Sequence, residues 1–167
     1  AGDNTKKKSL EILKSISKDV DICEIGFPHN TPIADGGQIQ TSAYRALKNG
    51  LKISDVFQIV KEFKKSKNSK PVILMGYYNM IYQYGENNFI KKCKSSGVNG
   101  LIVVDLPWPE NKGFAKKCKA KAISFVQLLS PTTSKERLKN IIKDSHDMIY
   151  YISCLLYTSP SPRDRYI

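Results

Sequence analysis

The sequence predicts an α/β fold with a parallel sheet, because short apolar strands alternate with amphipathic helices along the chain. Part of a (β/α) barrel and a doubly wound sheet share this alternation, and two details favour the barrel. Polar residues recur where the predicted strands end, at Glu24, Tyr77, Asp105, Gln127 and Ser153, and barrel enzymes carry their chemistry at such positions. No Gly-x-Gly-x-x-Gly pattern follows a strand, so a dinucleotide site has no support.

Five strands are predicted, and each is preceded or followed by a helix. The strands span residues 20–26, 71–76, 100–105, 122–128 and 148–153, and the helices 4–18, 38–48, 54 onward, 86–96, 109–119 and 134–144. The continuous apolar run at 71–76 is typical of a strand buried on both faces. The chain has 167 residues, which suffices for one domain with a core, whereas a complete TIM barrel typically takes about 250.

The chain is strongly basic, with a net charge of +12. Its lysines cluster at 6–8, 64–67, 91–94 and 116–121, on separate predicted helices, without interleaved aromatics or a nucleic-acid-binding motif. Solvated helix faces therefore explain the charge better than nucleic-acid binding does. No run of 18 apolar residues occurs and no apolar segment follows 6–8, so we expect neither a transmembrane helix nor a signal peptide.

The cysteines and histidines do not form a metal-binding pattern. Four cysteines stand at positions 23, 93, 118 and 154, without a Cys-x-x-Cys pair, and the two histidines are His29 and His146. We expect no metal site and no disulfide framework. Reduced thiols predict a cytoplasmic protein.

Glu24 and Asp35 are the strongest candidates for chemistry. Glu24 lies in the predicted strand 20–26, and Asp35 lies in the Pro-rich loop that follows, next to Gly36. One carboxylate on a barrel strand and a second on the next loop are typical of a (β/α) active site. The alternative, which spacing alone leaves open, is a core acid at Glu24 and a helix cap at Asp35.

Several motifs resemble the α subunit of tryptophan synthase, in order and in spacing over residues 1–153. They are Glu24-Ile-Gly-Phe-Pro28, Pro32-Ile-Ala-Asp-Gly36 with Gln40 and Arg45-Ala46, Leu74-Met-Gly-Tyr-Tyr-Asn79, Gly97-Val-Asn-Gly-Leu101, Val104-Asp-Leu-Pro107 and Tyr150-Tyr-Ile-Ser153. The resemblance implies a TIM barrel and a lyase activity in tryptophan biosynthesis, the retro-aldol cleavage of indole-3-glycerol phosphate to indole and glyceraldehyde 3-phosphate.

The resemblance also implies roles for individual residues. It assigns proton transfer to Glu24 and the contact with the indole N–H to Asp35. It implies that Tyr77 and Tyr150 are active-site residues, one beside the indole and one that orients Glu24. The alternative is that both are ordinary interfacial tyrosines. Met75 and Leu128 line an apolar indole pocket or belong to the barrel core.

The family's partner is a β subunit that carries pyridoxal phosphate, so the resemblance implies an α2β2 heterotetramer and no cofactor in this chain. Thr31, Asn79 and Asp105 are the candidate partner-facing residues. Asn79 as a loop hydrogen-bonding group and Asp105 as a structural cap remain alternatives. Many members carry an acid for subunit contact where this chain has Thr31, which alters the expected fit to the β subunit. We expect His29, beside it, to be a solvated loop residue.

We expect residues 1–153 to form a partial TIM-barrel domain and residues 154–167 to be a non-native tail. The tail is rich in Ser, Pro and Arg and has neither helix nor strand periodicity. Relative to the family, the first, seventh and eighth strands and the loops that hold phosphate are missing. The alternative function is therefore a catalytically inactive fragment that only binds the β subunit.

Overall fold

A computed structural model describes residues 1–152, and the expected tail lies outside these residues. Helices and strands alternate along the chain, as the sequence predicts. The helices are α1 (Lys6–Ile16), α2 (Gly37–Lys48), α3 (Ile53–Lys64), α4 (Tyr78–Tyr84), α5 (Glu86–Ser96), α6 (Lys112–Lys119) and α7 (Lys135–Asp144). The strands are β1 (Cys23–Gly26), β2 (Val72–Gly76), β3 (Gly100–Val103), β4 (Ser124–Phe125), β5 (Gln127–Leu129) and β6 (Ile149–Tyr151).

All paired strands are parallel, and their order follows the sequence. β1 to β4 form one sheet, and β5 pairs with β6 in a second. Val126 alone separates β4 from β5, and its N–H donates to the carbonyl of Leu101 at 2.9 Å. The segment predicted as one strand over 122–128 is therefore two short strands. The first, β4, pairs with β3, and the second, β5, pairs with β6. Sequential parallel pairing with such a turn is the geometry of a barrel wall.

The elements differ from the sequence prediction in several boundaries and in one additional helix. The first strand begins at Cys23 and not at residue 20, and α6 begins at Lys112 and not at Pro109. Helix α4 was not predicted, because seven residues directly after a strand carry too little helical periodicity. Gly85, with a φ of 84°, separates α4 from α5, and a positive φ of this kind favours glycine.

The strands separate two apolar layers. Alternate residues of β2 point to opposite faces, so Val72 and Leu74 pack against the helices while Ile73 joins a smaller cluster on the other face. That inner cluster contains Ile73, Ile102 and Val126, fully or nearly buried, with Met75, Val104, Leu128, Met148 and Tyr150 packed against them. One apolar residue from each successive strand is the pattern of a barrel interior.

None of the helices in the described part is long and apolar enough to cross a membrane. Within residues 1–152, no group of three or more His, Cys, Asp or Glu side chains is arranged to hold a metal ion.

Candidate active site

The carboxyl ends of β1 and β2 and the loop after β1 enclose a cavity of about 350 Å³. The N–H of Phe27 donates to the carbonyl of Met75 at 3.0 Å, which carries the pairing of β1 with β2 into this loop. Glu24, Asp35, Met75 and Tyr77 all line the cavity. The fold therefore brings together four of the six residues predicted for catalysis and substrate binding. We call this space the acidic cavity.

Glu24 is the second residue of β1 and lies opposite Ile73 of β2. It stands two positions before Gly26, the last residue of the strand, and not at the strand end as predicted. Its side chain is exposed, yet the surrounding protein partly desolvates the carboxyl group, and this desolvation raises its pKa. The charge of Glu24, followed by burial, also raises the pKa of Tyr150.

Asp35 is held by Tyr77, which directly follows β2. The Tyr77 hydroxyl donates to Asp35 Oδ2 at 3.2 Å and accepts from the N–H of Ala34 at 2.9 Å. Burial, ahead of the nearby Asp35 charge, raises the pKa of Tyr77 to about 12. The alternative of Asp35 as a helix cap is wrong, because Gly36 is the N-cap of α2 and no side chain caps that helix.

His29 is not a solvated loop residue, and that expectation is wrong. Its ring stacks on Tyr77 with centroids 5.0 Å apart, and it lines the acidic cavity. Its Nδ1 is buried and has no partner among the described residues. A polar loop residue gave no local signal of this packing, because its aromatic neighbour comes from a different strand.

The two remaining predicted pocket residues lie beside the acidic cavity. Leu128 and Tyr150 pack in the same inner cluster as Met75, and all three are partly buried. Leu128 belongs to β5 and Tyr150 to the adjacent β6, where they are paired in register. Their side chains extend the apolar wall that begins at Met75.

The candidate partner-facing residues are all exposed. Asn79 accepts from Gln83 within α4 at 3.4 Å. Asp105 Oδ1 accepts from the N–H of Tyr78 at 2.7 Å, so it caps the first turn of α4, as the structural alternative for this residue requires. Thr31 lies on the loop after β1, between the residues that form the wall of the acidic cavity. Contact of these three residues with a partner remains a prediction.

Two packing contacts had no signal in the sequence, one in the wall of the acidic cavity and one outside it. Gly76 ends β2 and leaves space for the ring of Phe27, since a Cβ at this glycine would meet ring carbons at 2.1 Å. Gln127, predicted at a strand end, begins β5 and is buried against Asn111, whose Nδ2 donates to Gln127 Oε1 at 2.8 Å. Gln127 therefore contributes to packing away from the acidic cavity.

Parallel strands in sequential order, with two carboxylates around one cavity at their carboxyl ends, define a protein of the (β/α)-barrel class with an acidic cavity at the usual place for a barrel site. The family model described as tryptophan synthase alpha chain matches residues 1–164. The chain belongs to the tryptophan synthase alpha chain family. The match includes residues 154–164, which lie in the segment expected to be non-native, and the division at residue 153 remains a prediction.

Known relatives agree with this assignment. The chain is 80% identical to the tryptophan synthase alpha chain of Pelagibacter ubique over 158 residues, which are 95% of this chain and 60% of that protein. It is 42% identical to that of Thermococcus kodakarensis, over 99% of this chain and 64% of the relative. A crystal structure of the tryptophan synthase complex from Pyrococcus furiosus superposes with a TM-score of 0.86 at 43% identity, covering 90% of this chain and 62% of that one. The chain thus spans about three-fifths of the length of these relatives.

Proposed function

We propose that this chain carries the acid–base site of a lyase that cleaves indole-3-glycerol phosphate into indole and glyceraldehyde 3-phosphate. One observation carries the proposal: Glu24 and Asp35 line the same cavity, although a loop separates them in the chain. Membership of the tryptophan synthase alpha chain family supports the choice of substrate.

Glu24 is the proton-transfer group in this proposal. Its raised pKa favours the protonated carboxyl, which gives its proton to the indole carbon that bears the side chain. The bond from that carbon to the glycerol chain then breaks. The electron pair of the bond restores the indole ring, and the adjacent hydroxyl becomes the aldehyde as it loses its proton to a base. The carboxylate left on Glu24 is that base in this proposal. Glu24 therefore gives one proton and takes one back, and it ends the reaction in its starting state.

Asp35 stabilises the positive charge that the protonated indole ring acquires before the bond breaks. A fixed carboxylate next to the ring N–H lowers the energy of that state without reorganisation during the reaction. Tyr77 holds the carboxylate in place. Met75, Leu128 and Tyr150 supply the apolar wall for the ring.

The product indole passes to a β subunit in this proposal, with Thr31, Asn79 and Asp105 facing that partner. A solved Pyrococcus furiosus relative is described as an a2b2 complex, which supports the same α2β2 assembly here. Pyridoxal phosphate belongs to the β subunit, and the proposed reaction of this chain needs no cofactor. The buried free thiols of Cys23, Cys93 and Cys118 agree with a cytoplasmic location.

The test uses a completed protein, in which residues 1–152 are joined at both ends to the flanking segments of the Pelagibacter ubique relative. We expect it to release indole from indole-3-glycerol phosphate. Glu24→Gln should lower kcat by at least about 100-fold, the lower end of what general acid–base groups supply. Glu110→Gln, an exposed loop residue, is the control. An unchanged kcat in Glu24→Gln would exclude the proton-transfer role, and no indole release from the completed protein would contradict the proposed reaction.

A further inference from the structure

A second and larger cavity, of about 760 Å³, lies between α6 and the end of α7, on the outer side of β4. No residue lines both this cavity and the acidic cavity. Four lysines and one histidine line it: Lys112, Lys116, Lys119, Lys143 and His146. We call it the basic cavity. Its volume is in the range of small-molecule sites.

The two aspartates of the basic cavity are already engaged. Asp144 accepts from Trp108 Nε1 at 2.7 Å and forms an ion pair with Lys112 at 3.2 Å. Asp147 accepts from Ser124 Oγ at 2.5 Å. Across residues 1–152, no ion pair includes Lys116, Lys119 or Lys143. Positive charge is therefore in excess in this lining, which has four lysines and two aspartates.

One contact across the cavity joins two basic residues. Lys119 Nζ lies 3.1 Å from His146 Nε2. The same ammonium group lies 3.5 Å from His146 Nδ1, so both ring nitrogens are close to it. Lys116 and Lys119 approach from α6, while Lys143 approaches from α7. Like charges on opposite walls repel each other, and an anion between them would turn this repulsion into attraction.

The buried side of the basic cavity is polar as well. Asn111 and Gln127 line it, and both are almost completely buried. They are bonded to each other at 2.8 Å, so they present a fixed amide surface and not a mobile one. A cavity with this amide surface and with lysines on two walls suits a ligand that carries both hydroxyl groups and concentrated negative charge.

We propose that the basic cavity is a binding site for a small phosphorylated anion, separate from the acidic cavity. Lys116 and Lys119 hold the anion from α6, and Lys143 closes it from α7. Four lysines against two aspartates leave an excess of two positive charges in the lining, which matches the charge of about −1.5 to −2 on a phosphate group. The inference does not depend on the proposed lyase reaction.

Inorganic pyrophosphate is the probe, and the histidines are local reporters. The chain has two, His146 in the basic cavity and His29 in the acidic cavity. The imidazole NMR signals are followed in the full 167-residue chain and in the completed protein, with each signal assigned by its loss in His146→Gln or His29→Gln. We expect pyrophosphate to shift the His146 signal saturably and to leave the His29 signal in place, at constant ionic strength.

Two double variants distinguish binding in the basic cavity from a general effect of the positive charge of the protein. Lys116→Gln with Lys119→Gln should raise the pyrophosphate concentration for half-maximal shift by at least about tenfold, because two charge-assisted contacts are lost. Lys143→Gln, on the other wall, should have a smaller effect in the same direction. Lys91→Gln with Lys92→Gln removes the same charge from exposed positions of α5 and should change this concentration by less than about twofold. Equal weakening in both double variants, or a His146 signal that does not respond in the wild type, would overturn the proposal.

Discussion

The hydroxyl of Tyr77 joins the carboxylate of Asp35 at 3.2 Å, and the same oxygen accepts from the N–H of Ala34 at 2.9 Å. One buried phenol therefore ties the carboxyl end of β2 to the loop after β1. The Tyr77 side chain is 3% exposed, so its ring is fixed by the surrounding protein and its hydroxyl has little freedom to move. This contact sets the direction of the Asp35 carboxylate before any ligand is bound, which is the preorganisation that electrostatic stabilisation of a charged intermediate requires.

We predict that Tyr77→Phe weakens both the loop and the reaction. The substitution leaves the Ala34 N–H without its acceptor, which should cost about 1–3 kcal/mol in the free energy of unfolding. The completed protein should lose about tenfold or more in kcat/KM, since Asp35 is no longer held. Urea denaturation and steady-state kinetics measure the two effects. Tyr82→Phe, at an exposed position, is the control, and equal behaviour of the two variants would contradict the role of Tyr77.

Asp35→Asn should lower kcat severely, by about 100-fold or more, because it removes the negative charge where positive charge develops. The amide can still accept from Tyr77, so stability should change little. The effect should therefore appear in kcat and not in the denaturation midpoint. A variant that loses stability and activity together would indicate that Asp35 supports the loop and does not stabilise the intermediate.

The sequence predicted the acidic residues of the site but not what holds them. Glu24 and Asp35 stand in a short segment with a distinctive pattern, so local reading was sufficient. The contact of Tyr77 with Asp35 joins residues 42 positions apart, and the stacking of His29 on Tyr77 crosses the same two elements. Such contacts depend on which strands are neighbours in the sheet, and local sequence patterns do not show this.

The fold shows the same division between local features, which the sequence predicted, and long-range features, which it did not. The apolar run of β2 and the glycine that ends α5 are strong local signals, and both stand near the predicted places. The break at Val126 between β4 and β5 has no such signal, because it arises from pairing with β3 on one side and with β6 on the other. Helix α4 is likewise fixed by a long-range contact, since Asp105 from the loop after β3 caps its first turn.

Gly76 should not tolerate a side chain. A Cβ there would meet the ring of buried Phe27 at 2.1 Å, so Gly76→Ala must displace the ring. We predict a loss of about 1–3 kcal/mol in the free energy of unfolding, as overpacking typically costs. Gly113→Ala is the matched control, because nothing lies within 4 Å of its Cβ position in α6, and it should be neutral or stabilising by up to about 1 kcal/mol. Thermal or urea unfolding of both variants measures the difference, and equal stability would show that the ring of Phe27 moves freely.

Glu24 should make the folded protein less stable as the pH rises. Burial raises its folded-state pKa above the ordinary value of 4.5, so over the range that begins near 4.5 the folded state retains a proton that the unfolded state has lost. The free energy of unfolding must then fall with increasing pH until the folded-state pKa is passed. Below the ordinary value Glu24 is protonated in both states, so it makes no pH-dependent contribution there. Glu24→Gln removes the titration, so this variant should have a higher urea midpoint than the wild type at pH 8. The difference should be smallest at pH 4, with the exposed Glu110→Gln variant measured beside it as the control. A difference between Glu24→Gln and the wild type that is constant with pH, or one that grows in acid, would mean that the carboxyl is not desolvated in the folded protein.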